Sequence, residues 1–567
     1  MTVANLYPDI NPSLLLDFAN VKALDPSITF TRASSAVYYD GVTHAKAEEN
    51  LLIESQDYSV SWTVENLTPV TGKTAPDTTA SATEFTAGTG NATLTQSVTL
   101  IAADYTFSVW LRRVTGTGNV DISAHSGGTW VTQTLTGTWT RFSVTQTLTA
   151  GAQTPGVRVV TSGDVIEIWG AQLEQRATIT AYTLTTTQPI IKYQPVLQTA
   201  ANNRARFDHV PATGESLGLL IEEQRTNLAL RSEEFDLWSS NPEPNFSSVL
   251  VNQQTAPDGT ITADLIIPST QTGSKFRFRT FAGALSTTYC ASVYVKAAGY
   301  NFAFIQLSNT AFGANAKIVI VDLINGVITS QTANASGTIQ SVGNGWYRIS
   351  VVATSLATTG SYVVSVGVSP DGITQIMSGD GYSGILVWGA QVEAGAFPTS
   401  YIKTEASQVT RLPDTARMTG VNFSSWFEQD EGSLYVEVTP RHTGLQYVAI
   451  IGNNVSLTLG IGYFTQSNTL FARVRGPGGS SSIGSGVAIV ANTPFSAMLS
   501  YAALNHAWAY NGVIRATGNT NIKPEDSVDL RIGASPLGTL FMTGTIKKIA
   551  YYPQRLLDTQ LQALTNP

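Results

Sequence analysis

The sequence contains 567 residues, which is enough for several domains of about 100–200 residues each. Charged residues make up only 13% of the chain, and the net charge is −8 without a basic cluster, so we expect no nucleic-acid contact. The single cysteine, Cys290, excludes an internal disulfide framework and a cysteine-rich zinc site. We expect Cys290 to be a small core residue of a strand.

The start of the chain has neither the basic region nor the long apolar region of a signal peptide, so we expect none. No run approaches about 18 apolar residues, and we therefore expect no membrane insertion. The lack of disulfides favours folding in a reducing cytoplasm, even for a protein that works outside the cell.

Residues 1–44 contain two candidate short strands, at 14–18 and 28–32, with an Asp25-Pro26 turn between them. A piece of this size is too small to build its own core. We therefore predict an N-terminal attachment segment that packs on a neighbour or on a partner chain.

Residues 45–185 alternate apolar and polar side chains in short runs, most clearly at 92–100 and 105–112. Glycine-rich breaks separate the runs, as at 116–118. Short strands at regular spacing with turn signals are typical of a β-sandwich or jelly roll. We predict the first jelly-roll module here.

Residues 186–226 are rich in turn-forming residues and are predicted to be a connector. Residues 227–405 form the second module, in which Asn325-Gly326 favours a tight hairpin turn. Residues 406–430 are a predicted linker, and residues 431–567 form a third, different β domain. A helix of one or two turns is predicted at 558–564. The predicted fold class is therefore all-β.

The first two modules are copies of one unit. The sequence Trp-Gly-Ala-Gln-hydrophobic-Glu occurs at 169–174 and again at 388–393. An Asn-Leu opening precedes each copy, at Asn50 and Asn227. Other matches occur in the same order, with a spacing that grows steadily along the chain. Loop insertions in a duplicated domain would produce that growth, so we infer a duplication.

These motifs resemble the carbohydrate-binding-module-like jelly rolls of bacteriophage structural proteins. The segments around 16–34 and 206–223 look like two halves of one phage-protein segment, here separated by an inserted module. The C-terminal domain resembles concanavalin A-like, laminin-G-type sandwiches, through 432–436, 510–512, 531–533 and 544–556. Fold alone does not give function.

An enzymatic alternative is glycoside hydrolysis, which needs two carboxylates roughly 5–10 Å apart across a cleft. The nearest acidic cluster, at 428–431, is typical of a solvated linker. The histidines, which are His44, His125, His209, His442 and His506, show no metal-ligand spacing. We therefore expect no enzymatic activity.

Sugar binding through aromatic rings is the preferred chemistry. The predicted carbohydrate-binding residues are Trp130, Tyr463 and Phe464. The tryptophans that mostly match between repeats are interpreted as core, namely Trp62, Trp110, Trp139, Trp169, Trp238, Trp346 and Trp388. Trp130 has no counterpart and is freer to bind a ligand.

We expect no cofactor. A structural calcium is an alternative at the matched aspartates Asp77 and Asp258, but Pro-Asp is also a plain turn signal and the turn is favoured.

The resemblance implies a non-enzymatic bacteriophage virion protein, made in the host cytoplasm, of a tail fibre, tail tip or head fibre. Its expected partners are other virion proteins through the N-terminal segment, and a host-surface glycan or protein. A homotrimer is expected. Two alternatives are capsid decoration without receptor contact and a glycan-processing enzyme with accessory binding modules.

Overall fold

The computed structural model describes residues 10–308, 310–358, 360–452, 460–476, 479–482, 486–524, 527–535, 538 and 540–566. Within these ranges the chain is almost entirely β, so the all-β prediction is confirmed. Its helices are short: Phe18–Val21, Val421–Ser424 and Asp558–Thr565 are α-helical, and Phe235–Leu237 and Thr310–Phe312 are 3-10 turns. None of the helices described is long and apolar enough to cross a membrane.

The first module is a sandwich of two five-stranded antiparallel sheets. In spatial order, one sheet contains Val131–Gln133, Val120–Ser123, Gly156–Val159, Ala92–Thr95 and Thr63–Glu65. The other contains Thr140–Leu148, Ala103–Thr115, Val165–Glu174, Ala82–Ala87 and Leu67–Lys73. Val98–Leu100 pairs separately with Gly151–Gln153. Alternate side chains such as Phe107, Val109 and Leu111 point inward and fill the space between the sheets.

The second module packs two larger sheets. One contains Ser247–Gln254, Ala263–Pro268, Gly384–Ala394, Thr288–Ala298, Trp346–Thr354 and Ser336–Gly343. The other contains Val327–Gln331, Lys317–Asp322, Phe302–Ser308, Val363–Ser369, Gly273–Thr280 and Ile376–Met377. The predicted hairpin at Asn325-Gly326 is confirmed, but the tight turn is not, since Asp322 pairs with Val327 and residues 323–326 form the loop. Cys290 is buried, as expected.

The C-terminal domain is also a sandwich. Its first sheet contains Arg206–His209, Ser216–Ile221, Gly544–Tyr552, Gly432–Pro440, Phe495–Tyr501, His506–Tyr510 and Val513–Gly518, with Leu14–Asp17 on the far end of Gly544–Tyr552. Its second sheet contains Thr29–Thr31, Thr415–Thr419, Asp529–Ile532, Gln446–Gly452, Gly460–Gln466, Thr469–Gly476 and Gly479–Ser482, with Val487–Ala488 paired to Thr469–Gly476. We call this second sheet sheet B.

Three predicted boundaries differ from the structure, because both sheets of the C-terminal sandwich recruit strands from distant segments. Leu14–Asp17 and Thr29–Thr31, predicted to belong to a separate attachment segment, complete its two sheets. Ser216–Ile221, placed in the predicted connector, pairs with Gly544–Tyr552. Thr415–Thr419, placed in a linker, is a strand of sheet B. Short strands cannot build a core alone, and they pair wherever an open sheet edge offers hydrogen bonds.

Two antiparallel ribbons lead into and out of the modules. Ala36–Asn50 pairs with Ile190–Ala200 over almost the whole length of both strands, and we call this pair the ribbon. A shorter pair, Arg225–Asn227 with Val409–Arg411, flanks the second module. Each jelly roll is therefore inserted between two chain segments that run side by side.

A buried ionic cluster joins the segments that assemble the C-terminal sandwich. Arg206 lies 2.8 Å from Glu222 and 2.5 Å from Asp414, and Arg32 lies 2.9 Å from Asp414. All four side chains are fully buried. These residues come from the N-terminal, connector and post-module segments, so segments 16–34 and 206–223 meet in space.

Candidate functional site: an aromatic cleft between the modules

The repeated motif has a structural role that is the same in both modules. The Asn50 amide donates hydrogen bonds to the carbonyls of Ala171 and Thr183, at 3.0 and 2.9 Å. Asn227 makes the matching bonds to Ala390 and Ile402, at 3.0 and 2.7 Å. The asparagine thus ties the opening of each module to its end.

The glutamate of the motif fixes the tail that follows it. Glu174 accepts hydrogen bonds from the backbone N–H and the hydroxyl of Thr180, and Glu393 does the same with Thr399. The same tail is also held by an arginine. In the first module, Arg141 donates a hydrogen bond to the Thr180 carbonyl at 2.6 Å. The motif therefore positions backbone rather than reacting groups.

The glycine of the motif is required by its conformation. Gly170 has a φ of +64° and lies at a bulge between Trp169 and Gln172. A Cβ there would come within 3.1 Å of the Trp110 ring and 3.4 Å of the Tyr182 ring. The bulge therefore lets three aromatic rings gather on one face of the sheet.

The structure gives the three predicted carbohydrate-binding residues different surroundings. Trp130 is half-buried, and its indole N–H donates to the Ser126 carbonyl at 3.1 Å while Arg158 covers its ring at 4.8 Å. Tyr463 is fully buried in the sandwich core, and its hydroxyl donates to the Leu434 carbonyl at 2.7 Å. A sugar therefore cannot reach the Tyr463 ring in this conformation.

Phe464, the third of these residues, points away from the core and lies in a row of rings on the other face of sheet B. Its centroid is 5.2 Å from that of Phe471 and 5.9 Å from that of Tyr447. Only 7% of Phe464 is exposed, because Arg473 covers its ring at 4.3 Å. Phe464 is therefore a covered member of this aromatic row.

The prediction that the repeat-matched tryptophans are core is confirmed for Trp169, Trp238, Trp346 and Trp388. It is wrong for Trp110 and Trp139, which are half-buried, as is Trp62. Trp110 and Trp139 border an open cleft between the first and second modules. Repeat matching identifies equivalent positions, but it does not show which copy is covered by other parts of the chain.

The cleft has a volume of about 920 Å³. Its aromatic lining comprises Trp110, Trp139, Trp169 and Tyr182 from the first module and Tyr382 from the second. A volume of this size is within the range of small-ligand sites, about 300–1,000 Å³. One signal for this site can be found in the sequence: Tyr382 has no aromatic counterpart in the first module, where Gly163 matches it.

The rings form a contiguous cluster. Tyr382 contacts Trp110 and Trp169 edge-on, with ring centroids 5.1 and 5.7 Å apart. Tyr182 lies 4.8 Å from Trp169. Burial raises the pKa of both tyrosine hydroxyls well above its usual value, so both remain neutral hydrogen-bonding groups.

Polar groups accompany the rings at the cleft wall. Arg112 lies over the Trp139 ring at 5.0 Å and pairs with Glu167. The Trp139 indole N–H donates to the Thr74 carbonyl at 3.2 Å. Among the residues that the structure describes, the indole N–H of Trp110 has no hydrogen-bond partner. The cleft wall therefore combines apolar ring faces with a cation, whereas the unpaired Trp110 donor is buried.

The two carboxylates of the cleft lining close local turns. Asp77 accepts from the backbone N–H and hydroxyl of Thr79, at 3.0 and 2.6 Å. Asp380 accepts from the backbone N–H groups of Tyr382 and Ser383, at 2.8 and 2.7 Å. Asp258 of the second module repeats the Asp77 turn with Thr260. Within the described ranges no group of three His, Cys, Asp or Glu side chains could hold a metal ion.

The same aromatic face in the second module is covered. Tyr294, Trp346, Trp388 and Tyr401 stand at the positions of Trp110, Trp139, Trp169 and Tyr182, and they pack with Tyr39 and Leu197 of the ribbon. Leu197 also donates its backbone N–H to the Pro257 carbonyl at 2.8 Å. The cavity left there is about 290 Å³. The ribbon thus fills in the second module the space that is open in the first.

Comparisons with known proteins gave no family assignment. No protein-family model and no curated protein match the chain. Among solved structures, the CBM40 domain of Ruminococcus gnavus IT-sialidase, bound to α2,3-sialyllactose, is 15% identical, covering 26% of this chain and 88% of that chain with a TM-score of 0.23. Domain 4 of AbnA, a GH43 extracellular arabinanase from Geobacillus stearothermophilus, in complex with arabinotriose, is 12% identical, covering 30% and 84%, with a TM-score of 0.23.

A larger structure is also similar. Trypanosoma rangeli sialidase in complex with the inhibitor DANA is 10% identical, and the match covers 89% of this chain and 94% of that chain with a TM-score of 0.22. At these TM-scores we draw no functional conclusion from the three likenesses.

Proposed function

We propose that this chain is a glycan-binding protein without catalytic activity, and that the aromatic cleft of the first module is its binding site. One observation carries the proposal: equivalent aromatic faces exist in both modules, and that of the first borders a cleft of about 920 Å³ whereas the ribbon leaves a cavity of about 290 Å³ at the second. Half-buried tryptophans such as Trp110 and Trp139 leave apolar surface in contact with water, which is typical of ligand sites.

The chemistry of the lining fits a sugar. Sugar rings present apolar C–H faces that stack on tryptophan and tyrosine, and their hydroxyls need hydrogen-bonding groups nearby. Trp139 supplies a ring at the mouth of the cleft, and Arg112, Gln56 and Gln253 supply polar atoms around it. Both lining carboxylates are engaged in turns, which favours binding over acid–base chemistry.

We also propose where this protein acts, namely on the surface of a bacteriophage particle. There the chain would form part of a tail fibre, tail tip or head fibre as a homotrimer. This part rests on the sequence resemblance alone. Gold labelling of intact particles with an antibody against residues 431–567 tests it: label at a fibre end supports adhesion, and label over the head supports decoration. Light scattering that shows a stable monomer at micromolar concentration contradicts the trimer.

The experiment for the cleft is a glycan-array screen with the full chain, followed by calorimetry on the glycans that bind. We expect Trp139→Ala to abolish binding and Trp130→Ala to leave it unchanged. Each variant removes one half-buried tryptophan of the first module, so their effects on stability are comparable. Loss of binding in Trp130→Ala alone would move the site to Trp130, and turnover of a bound glycan would support the enzyme alternative.

A further inference from the structure

The outer face of sheet B carries a row of arginines. One row of directly opposite residues crosses five neighbouring strands of this sheet. In order across the sheet, the row contains Arg417, Arg531, Ile450, Gly462 and Arg473. Residues directly opposite one another in antiparallel strands share a face of the sheet. The three arginines therefore lie on one face, and Arg475, two residues beyond Arg473, lies on it too.

This face is basic in an acidic chain. The net charge of the whole chain is −8, whereas the described strand residues of this face include four arginines and one carboxylate, Asp529, in the next row. Arg417 and Arg531 approach Asp529 to 2.6 and 2.9 Å, so this single carboxylate is shared by two cations. A local excess of one sign attracts ligands of the other sign.

The side chains of Arg473 and Arg475 form no ion pair or hydrogen bond with any other residue that the structure describes. The Nε atom of Arg473 is buried without a partner, and its guanidinium lies over the Phe464 ring. Burial and the neighbouring Arg475 both lower the pKa of Arg473, because an uncompensated cation is disfavoured there. An arriving anion would satisfy both charges.

The rows beside these arginines contain several glycines. Gly462 precludes a side chain, because a Cβ there would lie 2.2 Å from the Ala449 carbonyl oxygen. The next row on the same face, two residues further along these strands, contains Gly452, Gly460 and Arg475. On the other side lies the aromatic row of Tyr447, Phe464 and Phe471. Tyr447, Phe471, Arg473 and Arg475 are partly exposed on this face, so a ligand could contact rings and cations together.

We propose that the outer face of sheet B binds the carboxylate or sulfate groups of an acidic polysaccharide, with Arg473 and Arg475 as the anion-binding residues. Guanidinium groups pair with such anions in a bidentate manner, and the partly exposed rings of Tyr447 and Phe471 offer faces on which a sugar can stack. A nucleic acid is the less suitable polyanion, because its phosphates require a broad basic surface and the chain as a whole is acidic. This site is separate from the cleft of the first module.

The test measures binding of the full chain to dextran sulfate and to polygalacturonate, with neutral dextran and single-stranded DNA in parallel. We expect binding to one or both acidic polysaccharides, weakening as salt is raised, and no binding to neutral dextran. Arg473→Gln and Arg475→Gln should each lower the affinity about 10-fold, as expected for loss of a hydrogen bond to a charged group.

The matched control is Arg515→Gln, which removes an arginine from the other sheet of the same sandwich, where it lies over Tyr510. We expect this variant to bind like the unchanged chain. Equal losses in all three variants would indicate a non-specific charge effect and overturn the site, and so would stronger binding to DNA than to either polysaccharide. Because Trp139→Ala leaves sheet B intact, it should keep this binding, which separates the two proposals.

Discussion

Tyr382 of the second module meets Trp110 of the first module edge to face, with ring centroids 5.1 Å apart. Both modules are needed to form the cleft, since neither module alone supplies all of its aromatic rings. The wall on the second module's side also includes Leu265 and Ile267. A ligand in the cleft would therefore contact both copies of the repeat at once.

We expect Tyr382→Ala to weaken glycan binding about 3- to 10-fold, the range for loss of one aromatic contact. Tyr382→Phe should retain most of the affinity, because it keeps the ring and loses only the hydroxyl. Calorimetry on a glycan identified by the array gives both values. Full affinity in Tyr382→Ala would show that the second module takes no part in the site.

The matched asparagines test whether the repeat motif is structural. Asn50→Ala removes the donor to the Ala171 and Thr183 carbonyls, and Asn227→Ala does the same in the second module. Leaving buried carbonyls without a donor should lower the free energy of unfolding by about 2–4 kcal/mol in each case. Hydrogen exchange should show the loss in the mutated module first, whereas Gln133→Ala, a half-buried control outside these contacts, should change little.

The buried ionic cluster should be the most sensitive point of the C-terminal sandwich. Asp414→Asn leaves Arg32 and Arg206 with less negative charge in a fully buried site. Breaking such a cluster costs about 3–5 kcal/mol, so the melting temperature of the variant should drop clearly. Glu234→Gln, which breaks a partly exposed pair with Arg231, should cost less than about 1 kcal/mol. Equal effects would contradict the role of burial.

Asp264 should make stability depend on pH. Burial raises its pKa to about 6, although its carboxylate accepts backbone N–H groups from Phe235 and Asn252 at 2.9 and 3.0 Å. An unfolded aspartate has a pKa of about 3.9, so between about pH 4 and 6 the folded state binds the proton more tightly. The contribution of Asp264 to stability is therefore greatest below about pH 4 and is lost as the pH rises through 6.

Urea titrations of the unchanged chain and of Asp264→Asn at several pH values measure this effect. The difference in unfolding free energy between the two proteins should change by up to about 3 kcal/mol between pH 4 and 7, in favour of the unchanged chain at the lower pH. A constant difference across this range would show that the carboxyl titrates normally.

The sequence by itself determined the fold class and the duplication. Alternation with period two and glycine-rich turns are local signals, so the strands at 92–95 and 103–115 and the hairpin at Asn325-Gly326 could be predicted. The order of matched motifs along the chain was also sufficient to identify two copies of one module. These features depend on residues close together in sequence, or on a comparison of one stretch with another.

Only the tertiary structure decided which copy is open and where the chain segments meet. Trp139 and Trp346 are equivalent in sequence, but the ribbon covers Trp346 and leaves Trp139 at the mouth of a cleft. Likewise, Leu14–Asp17 pairs with Gly544–Tyr552 across almost the whole chain. Burial and strand pairing depend on which distant segments pack together. Hydrophobic contacts and backbone hydrogen bonds can form with many partners, so the local sequence pattern does not show which partner is chosen.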